Sequence, residues 1–382
     1  MKILYLASSS DWHIDLWVKY FTKKHDVYLF SDIENYTKDQ QFENVSITYS
    51  NGLIGRVLNF LCLTSHKLFQ LNKLISAKYY ARKIDLLIKS EKIEAIHAHN
   101  LYYGYVASFL KSNIPIIFTP MGSDIIIHAQ ENLIYRWMAL KTFQKSSMVT
   151  NDSLLLQEKG FHLGARKTNN FIIQNGVDTS LFYPQESTLK MNLGINKDEF
   201  LIFSPRAITP LYNIDVILDS LKILKKLNYK FKCMFSFAFG GTYYANLQQQ
   251  VIDLGLQEQV IWLGYIEYHD MPKYYNASDL VISVPSSDSS PKSVYEAMFC
   301  KKPIIISDLT WSNELLHESE CVLKVEAKNP HSLSEAVVSV MSNHSFSTML
   351  SNNAFALAGK YFDYEANMKK MDQLTESLIS RY

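Results

Sequence analysis

Cysteine is scarce in this chain: four residues (Cys62, Cys233, Cys300, Cys321) in 382, with no C-x-x-C pair and no Cys/His group at zinc spacing. A disulfide framework and a structural zinc site are therefore excluded, and a reducing compartment is expected. Long apolar runs are also missing. No 18 consecutive uncharged apolar residues occur, and the opening MKILYLASSSDWHIDLW has no signal-type apolar core followed by a small-residue cleavage site. The expectation is a cytoplasmic protein that does not span a membrane but is free to touch one. An excess of one charge is lacking too: 38 Lys+Arg face 37 Asp+Glu, so global electrostatics do not mark a nucleic-acid binder. Finally, neither G-x-x-x-x-G-K-[ST] nor a G-x-G-x-x-G after the first apolar run is present. P-loop and dinucleotide hydride chemistry lose their usual signatures with them.

What the chain does have is core material. It is 47% hydrophobic and 20% charged, enough for well-formed cores, and its length suggests two domains. Short, uniformly apolar runs read as strands at Lys2–Ala7, Asp26–Phe30, Ala95–Ala98, Pro115–Thr119, Met148–Thr150 and Phe171–Ile173. A second series follows at Phe200–Phe203, Lys232–Phe237, Val260–Leu263, Leu280–Val284, Pro303–Ile306 and Cys321–Lys324. Helical-period segments lie between them, including Ile14–Thr22, Lys67–Glu91, Tyr102–Ser112, Ile214–Leu227, Tyr243–Leu254, Met271–Tyr275 and Pro291–Cys300. Apolar strands alternating with helices predict parallel sheets covered on both faces. The fold class expected is α/β, with two doubly wound Rossmann-like domains facing across a cleft. Their boundary is placed at Pro184, at the start of the polar stretch Tyr183–Asn196.

The segment LVISVPSSDSSPKSVYEAMFCKKPIIIS (Leu280–Ser307) is the most informative. It reads as strand, loop, helix and strand, with Ser290 as the N-cap and Pro291 as the first helical residue. A helix N-terminus at the carboxyl edge of a sheet offers unpaired N–H groups and partial positive charge to a diphosphate. Asp288 precedes that terminus, and Glu296 follows eight residues later, so both carboxylates could accept hydrogen bonds from sugar hydroxyls. Taken alone, the same residues also describe a capped loop and an ordinary helix glutamate.

The segment resembles the E-x7-E region of retaining glycosyltransferases of family 4, which have the GT-B fold, with Asp288 and Glu296 at the acidic positions. Ala297-Met298 and Pro303-Ile304-Ile305 continue the likeness. QNGVDTSLFYP (Gln174–Pro184) is similar to the family's interdomain segment, and SPRAITPLYNIDVILDSL (Ser204–Leu221) to its arginine-bearing strand and helix. VIWLGYI (Val260–Ile266) resembles the L-G-y-v element, and FTPMGSDI (Phe118–Ile125) a turn of the N-terminal domain. The terminal FDYEANMKKMDQL resembles the last helix, which in the family crosses back to the first domain.

The resemblance implies an acceptor-binding domain over residues 1–184, with 362–382 returning to it, and a nucleotide-sugar domain over 185–361. It implies that Glu296 binds ribose hydroxyls and Asp288 the donor sugar. Ser289, Ser290, Pro291, Lys292 and Ser293 would offer the diphosphate and sugar backbone N–H groups, proline excepted. Arg206 would hold the phosphates and neutralise the leaving group, and Gly264, Tyr265 and Ile266 would form the nucleobase edge. His13, His99, Met121, Gly122 and Asp124 fall on the acceptor side. The implied donor is a UDP-sugar or GDP-sugar, with no metal or other cofactor. Transfer would proceed by front-face attack, with no protein nucleophile.

The chain departs from the family pattern in several places. Leu211 and Tyr212 stand where a lysine usually accompanies the arginine, and Asn213 replaces a glycine region. Lys292 could supply the missing charge, and a solvated helix lysine is the plainer reading. The first acid is Asp rather than Glu, and Met121 stands where histidine is common. Gly255, in LGL, reads as a helix stop. His97 and His99 share one strand face but lack a third ligand at suitable spacing, so packing or acceptor lining is expected of them. Asp124 fits a turn or capping role as well as an acceptor role.

One stretch carries charge of its own. Residues 51–92 contain eight Lys/Arg (Arg56, Lys67, Lys73, Lys78, Arg82, Lys83, Lys89, Lys92) against Asp85 and Glu91, interleaved with aromatic and aliphatic residues. This pattern predicts a basic amphipathic surface that contacts anionic lipid, or else a sheet-covering helix with a solvated face. The function expected is transfer of a sugar to a glycan or lipid-linked acceptor in assembly of a bacterial surface polysaccharide (O-antigen, capsule or exopolysaccharide). A sugar-nucleotide 2-epimerase of the same fold and a non-catalytic sugar-binding protein are the rival readings.

Overall fold

In the computed structural model, which describes residues 1–9, 12–31, 45–49, 66–196, 198–236, 241–288, 290–316 and 320–382, the apolar runs become strands of two parallel sheets. The side chains of residues 12, 13, 49 and 66–72 lie outside that description. In the first unit the strands are β1 (Lys2–Leu6), β2 (Asp26–Ser31), β3 (Val45–Tyr49), β4 (Ala95–His99), β5 (Ile116–Thr119), β6 (Met148–Asn151) and β7 (Asn170–Ile172). They lie in the order β3-β2-β1-β4-β5-β6-β7. The second unit holds β8 (Phe200–Ser204), β9 (Phe231–Ser236), β10 (Val260–Gly264), β11 (Leu280–Ser283), β12 (Ile304–Ser307) and β13 (Leu323–Val325), in the order β10-β9-β8-β11-β12-β13. Strands such as β4, β11 and β12 are buried along their whole length, because helices cover both faces of a parallel sheet.

Each sheet reverses its winding once, between β1 and β4 in the first and between β8 and β11 in the second. Beyond the carboxyl ends of such a strand pair the connections diverge to opposite faces and leave a crevice. In the second sheet Leu280 pairs with Ile202 and Val281 with Phe203, so the loops after β8 and β11 start side by side.

Contacts divide the chain into Met1–Asn175 with Glu365–Tyr382, and Gly176–Tyr364. Residues 176–184, expected in the first domain, thus belong to the second unit, as do residues 362–364, expected in the returning segment. Val177, Phe182 and Phe362 are buried in the second unit's core, and Phe362 stacks on Tyr295 at 3.7 Å. Where the chain enters and leaves the second unit, its two passes are bonded together: Val177 N–H donates to Phe362 O (2.8 Å) and Tyr364 N–H to Val177 O (3.1 Å). Gly176 makes this approach possible. Its φ is +73°, and a Cβ there would lie 2.6 Å from Tyr364 Cα. The helix Tyr364–Ile379 then joins the first unit, burying Met368 and Met371 and setting Asp372 Oδ1 2.7 Å from His25 Nε2. Among the described residues, no helix is long and apolar enough to cross a membrane.

Candidate functional site

Arg206 follows β8 and Asp288 follows β11, so the winding reversal of the second sheet brings them together. The guanidinium donates from Nη2 to Asp288 Oδ2 (2.8 Å) and from Nη1 to Ser293 Oγ (2.9 Å). Both charges are largely buried, with side chains 11% and 15% exposed. Tyr212 covers the flat face of the guanidinium, its ring centroid 4.2 Å from Cζ. The short turn Pro210–Tyr212 that carries this ring is anchored at Asn213, whose φ of +50° is a conformation asparagine tolerates better than most residues. Asn213 Nδ2 donates to Val284 O (2.9 Å), Ser286 Oγ donates to Asn213 Oδ1 (3.0 Å), and Ser286 N–H donates to Leu211 O (2.8 Å). The departure from the family pattern at positions 211–213 is therefore a built turn that sets an aromatic ring on the arginine.

A second cluster adjoins on the helix Lys292–Phe299. Glu296 is 4% exposed and accepts from Tyr275 Oη at 2.8 Å and from Tyr268. Burial raises its carboxyl above the ordinary carboxylate range, while Lys292, the two tyrosine hydroxyls and Arg206 act in the other direction. Burial lowers the Lys292 ammonium, and Glu296 and Asp178 oppose that shift. Its Nζ lies 4.5 Å from the Tyr268 ring centroid. Both tyrosine hydroxyls are raised by burial first and by the Glu296 charge second. Two cations and two carboxylates are thus concentrated at one end of one sheet, where low polarizability makes each worth more than in water.

The helix begins one residue later than the sequence suggests. Pro291 (φ −75°, ψ 100°) occupies the cap position without a side-chain cap bond, and Lys292 opens the helix. Ser290 Oγ sits 3.4 Å from Tyr295 Oη instead of capping, and Ser289 lies outside the described residues. Gly264 ends β10 at φ +73°; Tyr265 beyond it is 65% exposed, and Ile266 packs on the core of the second unit. They lead into Tyr268, whose ring meets Phe182 at 5.3 Å. Sequence reasoning named Arg206, Asp288, Lys292 and Glu296 but assigned no site role to Tyr212, Tyr268, Tyr275 or Asp178. A tyrosine carries no motif of its own in a chain with 24 of them.

The acceptor-side candidates belong to the first unit. Asp124 accepts from the backbone N–H groups of Leu101 (2.8 Å), Met121 (3.1 Å) and Ile125 (3.0 Å), tying the loop after β5 to the start of the helix Asn100–Ala107. Of its two expected roles, the turn is the one its carboxylate fills. Gly122 takes the same loop through φ +98°, and Met121 is half-buried. His99 is 1% exposed and lies against His97 with ring centroids 4.3 Å apart, with Trp17 edge-on to both, so packing, not an exposed lining, is its place. His97 Nε2 lies 2.7 Å from Thr119 Oγ1, and burial depresses its basicity. The His13 side chain lies outside the described residues.

With this geometry established, residues 185–356 match the family model of glycosyl transferases group 1, and residues 2–153 match that of the glycosyl transferase 4-like family. The chain belongs to the family 4 type of glycosyltransferases. It is 22% identical over 303 residues to the uncharacterized glycosyltransferase MJ1607 of Methanocaldococcus jannaschii, covering 76% of each chain. It is also 22% identical over 217 residues to the lipopolysaccharide core biosynthesis mannosyltransferase LpsB of Rhizobium meliloti, covering 55% of this chain and 61% of that one. The Anabaena protein HepE, solved in complex with UDP, superposes with a TM-score of 0.80 at 18% identity, over 99% of this chain and all of that one. That likeness shows the fold, a GT-B pair of Rossmann-like domains.

In this glycosyltransferase Tyr212 holds the arginine by its face. Replacing it with leucine should lower turnover about thirtyfold, the scale of a desolvated cation–π contact of about 2 kcal/mol, whereas phenylalanine should retain most of it. Steady-state kcat for both variants checks this. Equal losses would mean that the hydroxyl, not the ring, matters.

Proposed function

We propose that this glycosyltransferase is a retaining enzyme that moves a sugar from a nucleotide-diphospho-sugar to a hydroxyl of a glycan or lipid-linked acceptor in surface polysaccharide assembly. The observation that carries the reading is the Arg206–Asp288–Ser293 constellation at the β8/β11 reversal, with Lys292 and Glu296 beside it. Arg206 and Lys292 supply positive charge where a leaving diphosphate develops negative charge, and do so without a metal. Glu296 takes the ribose hydroxyls, and Asp288, already next to Arg206, takes the sugar. The bond from the anomeric carbon to the diphosphate oxygen breaks, and the bond to the acceptor oxygen forms on the same face. The acceptor proton goes to the departing phosphate oxygen. The first unit, Met1–Asn175 with Glu365–Tyr382, would present the acceptor. HepE's complexes with UDP and with UDP-glucose support a nucleotide-sugar donor, and LpsB's name supports a glycan pathway.

Thermal melts with UDP, GDP, dTDP and their sugars test the donor, since a ligand at 100 times its Kd stabilises by about 2.7 kcal/mol. A UDP- or GDP-sugar should give the largest rise, and no shift with any of them would overturn the reading. Release of free nucleoside diphosphate that requires added acceptor separates transfer from epimerisation.

A further inference from the structure

The first unit carries a face on which cations and large apolar side chains alternate in solvent. The helix His66–Glu91 exposes Ile75 (63%), Lys78, Tyr79, Arg82, Leu86 (68%) and Lys89. The helix Leu133–Lys145 exposes Leu133 (82%), Arg136 and Trp137 (44%). These are parts of one surface, because both helices reach the same ring. Lys78 Nζ lies 5.6 Å and Lys141 Nζ 5.9 Å from the Phe109 centroid. Tyr105 continues the contact from Phe109 (4.9 Å) to Trp137 (5.4 Å), and Lys141 also lies over Trp137 at 5.1 Å.

We propose that this face seats the protein on an anionic bilayer. Cations outnumber acids on both helices. Leu133–Lys145 contains Arg136, Lys141 and Lys145 and no acid. On the other helix Asp85 is occupied by the backbone N–H groups of Lys111 and Ser112 and by the Ser112 hydroxyl. Glu91 accepts from Tyr28 and Ser90. Leucine and isoleucine held in water between ammonium and guanidinium groups give nucleic-acid bases nothing to stack on. Their spacing by cations also breaks up any continuous apolar groove for a protein. An interface of acyl chains under phosphates suits both kinds of group at once: the apolar ends sink, Trp137 and Tyr79 sit at headgroup level, and the long basic side chains reach the phosphates. The sequence points to residues 51–92 for this role, of which residues 51–65 lie outside the described part. The helix Leu133–Lys145 is a second, independent half of the surface, and it carries the tryptophan.

Flotation with vesicles of phosphatidylcholine alone or with about one third phosphatidylglycerol tests the proposal directly, independently of the donor site. The wild type should float with the anionic vesicles at low salt and be released by 0.5 M salt. Each surface cation contributes roughly a fivefold factor, so Lys78→Ser, Arg82→Ser and Lys141→Ser together should weaken partitioning on the order of a hundredfold. Leu133→Ser with Trp137→Ser should weaken it while leaving the salt dependence in place. Circular dichroism confirms that each variant is folded. Equal binding to neutral vesicles, no binding at low salt, or wild-type binding by both variants would overturn the proposal.

Discussion

Replacing Arg206 with alanine should lower turnover by about 10²–10³ with the best donor, the scale expected when a preorganised charge is removed from a leaving group. The guanidinium is fixed on three sides, by Asp288, Ser293 and the Tyr212 ring, so little reorganisation is left to be done as charge develops. Its loss also leaves the Asp288 carboxylate facing an anionic substrate without its counter-ion. Lysine should restore little, because an ammonium offers no flat face to Tyr212 and no fork to span Ser293 and Asp288. The residue stands beyond the end of β8, outside the core, so circular dichroism of the variant should match the wild type. A folded Arg206→Ala enzyme with near-normal kcat would refute the assignment.

Glu296→Gln should weaken nucleoside diphosphate binding about 10–100-fold, as expected for one or two charge-assisted hydrogen bonds reduced to neutral ones. The substitution preserves volume at a site only 4% exposed and leaves Tyr275 an acceptor, so its effect is one of charge. A pH series adds a sign. Because burial raises the Glu296 pKa, ionisation, and with it ribose binding, should increase as pH rises through that elevated value. The stability contribution runs the opposite way. A carboxyl whose folded pKa exceeds its unfolded one favours the fold below the ordinary carboxylate pKa, and that gain is lost as pH climbs through the raised value. The glutamine variant should lose both dependences. Asp288→Asn should behave differently: it frees Arg206 from its partner, so affinity for the bare nucleoside diphosphate should hold while the sugar-bearing donor suffers. Calorimetric titrations of both ligands against both variants decide between these outcomes, and equal losses in all four would contradict the division of roles.

Strands that run through the middle of a parallel sheet were legible because burial on both faces demands an unbroken apolar run, as in IIIS of β12. The edge strand β3, VSITY, was not: among the described residues it pairs only with β2, and it alternates serine and threonine with its apolar residues. The helix His344–Tyr361 escaped for a related reason, since the face it buries is Leu350, Ser351, Ala354 and Ala358, mostly too small to mark a period. At the candidate site, the family resemblance singled out Asp288, Glu296 and Arg206, and the structure sets Arg206 against Asp288. That Arg206 and Asp288 are bonded across 82 residues depends on β8 and β11 being neighbours, which no local pattern encodes. The ring on the guanidinium was hidden in a stretch recognisable only as a departure from pattern. His99, of which packing or acceptor lining was expected, is packed among the rings of His97, Tyr5 and Trp17.

The two bonded passes at Val177 and Phe362 make the second unit an insert within the chain of the first, and that sets an order of completion during synthesis. A ribosome working from the N-terminus delivers every residue of 176–364 before it delivers the helix Tyr364–Ile379 in full. The second unit, started later, can therefore close first. The first unit must wait with an open seam, which Met368, Met371 and Leu378 will cover, until residues 365–382 emerge. Shortening the chain at its C-terminus would thus damage the half of the molecule that was made first.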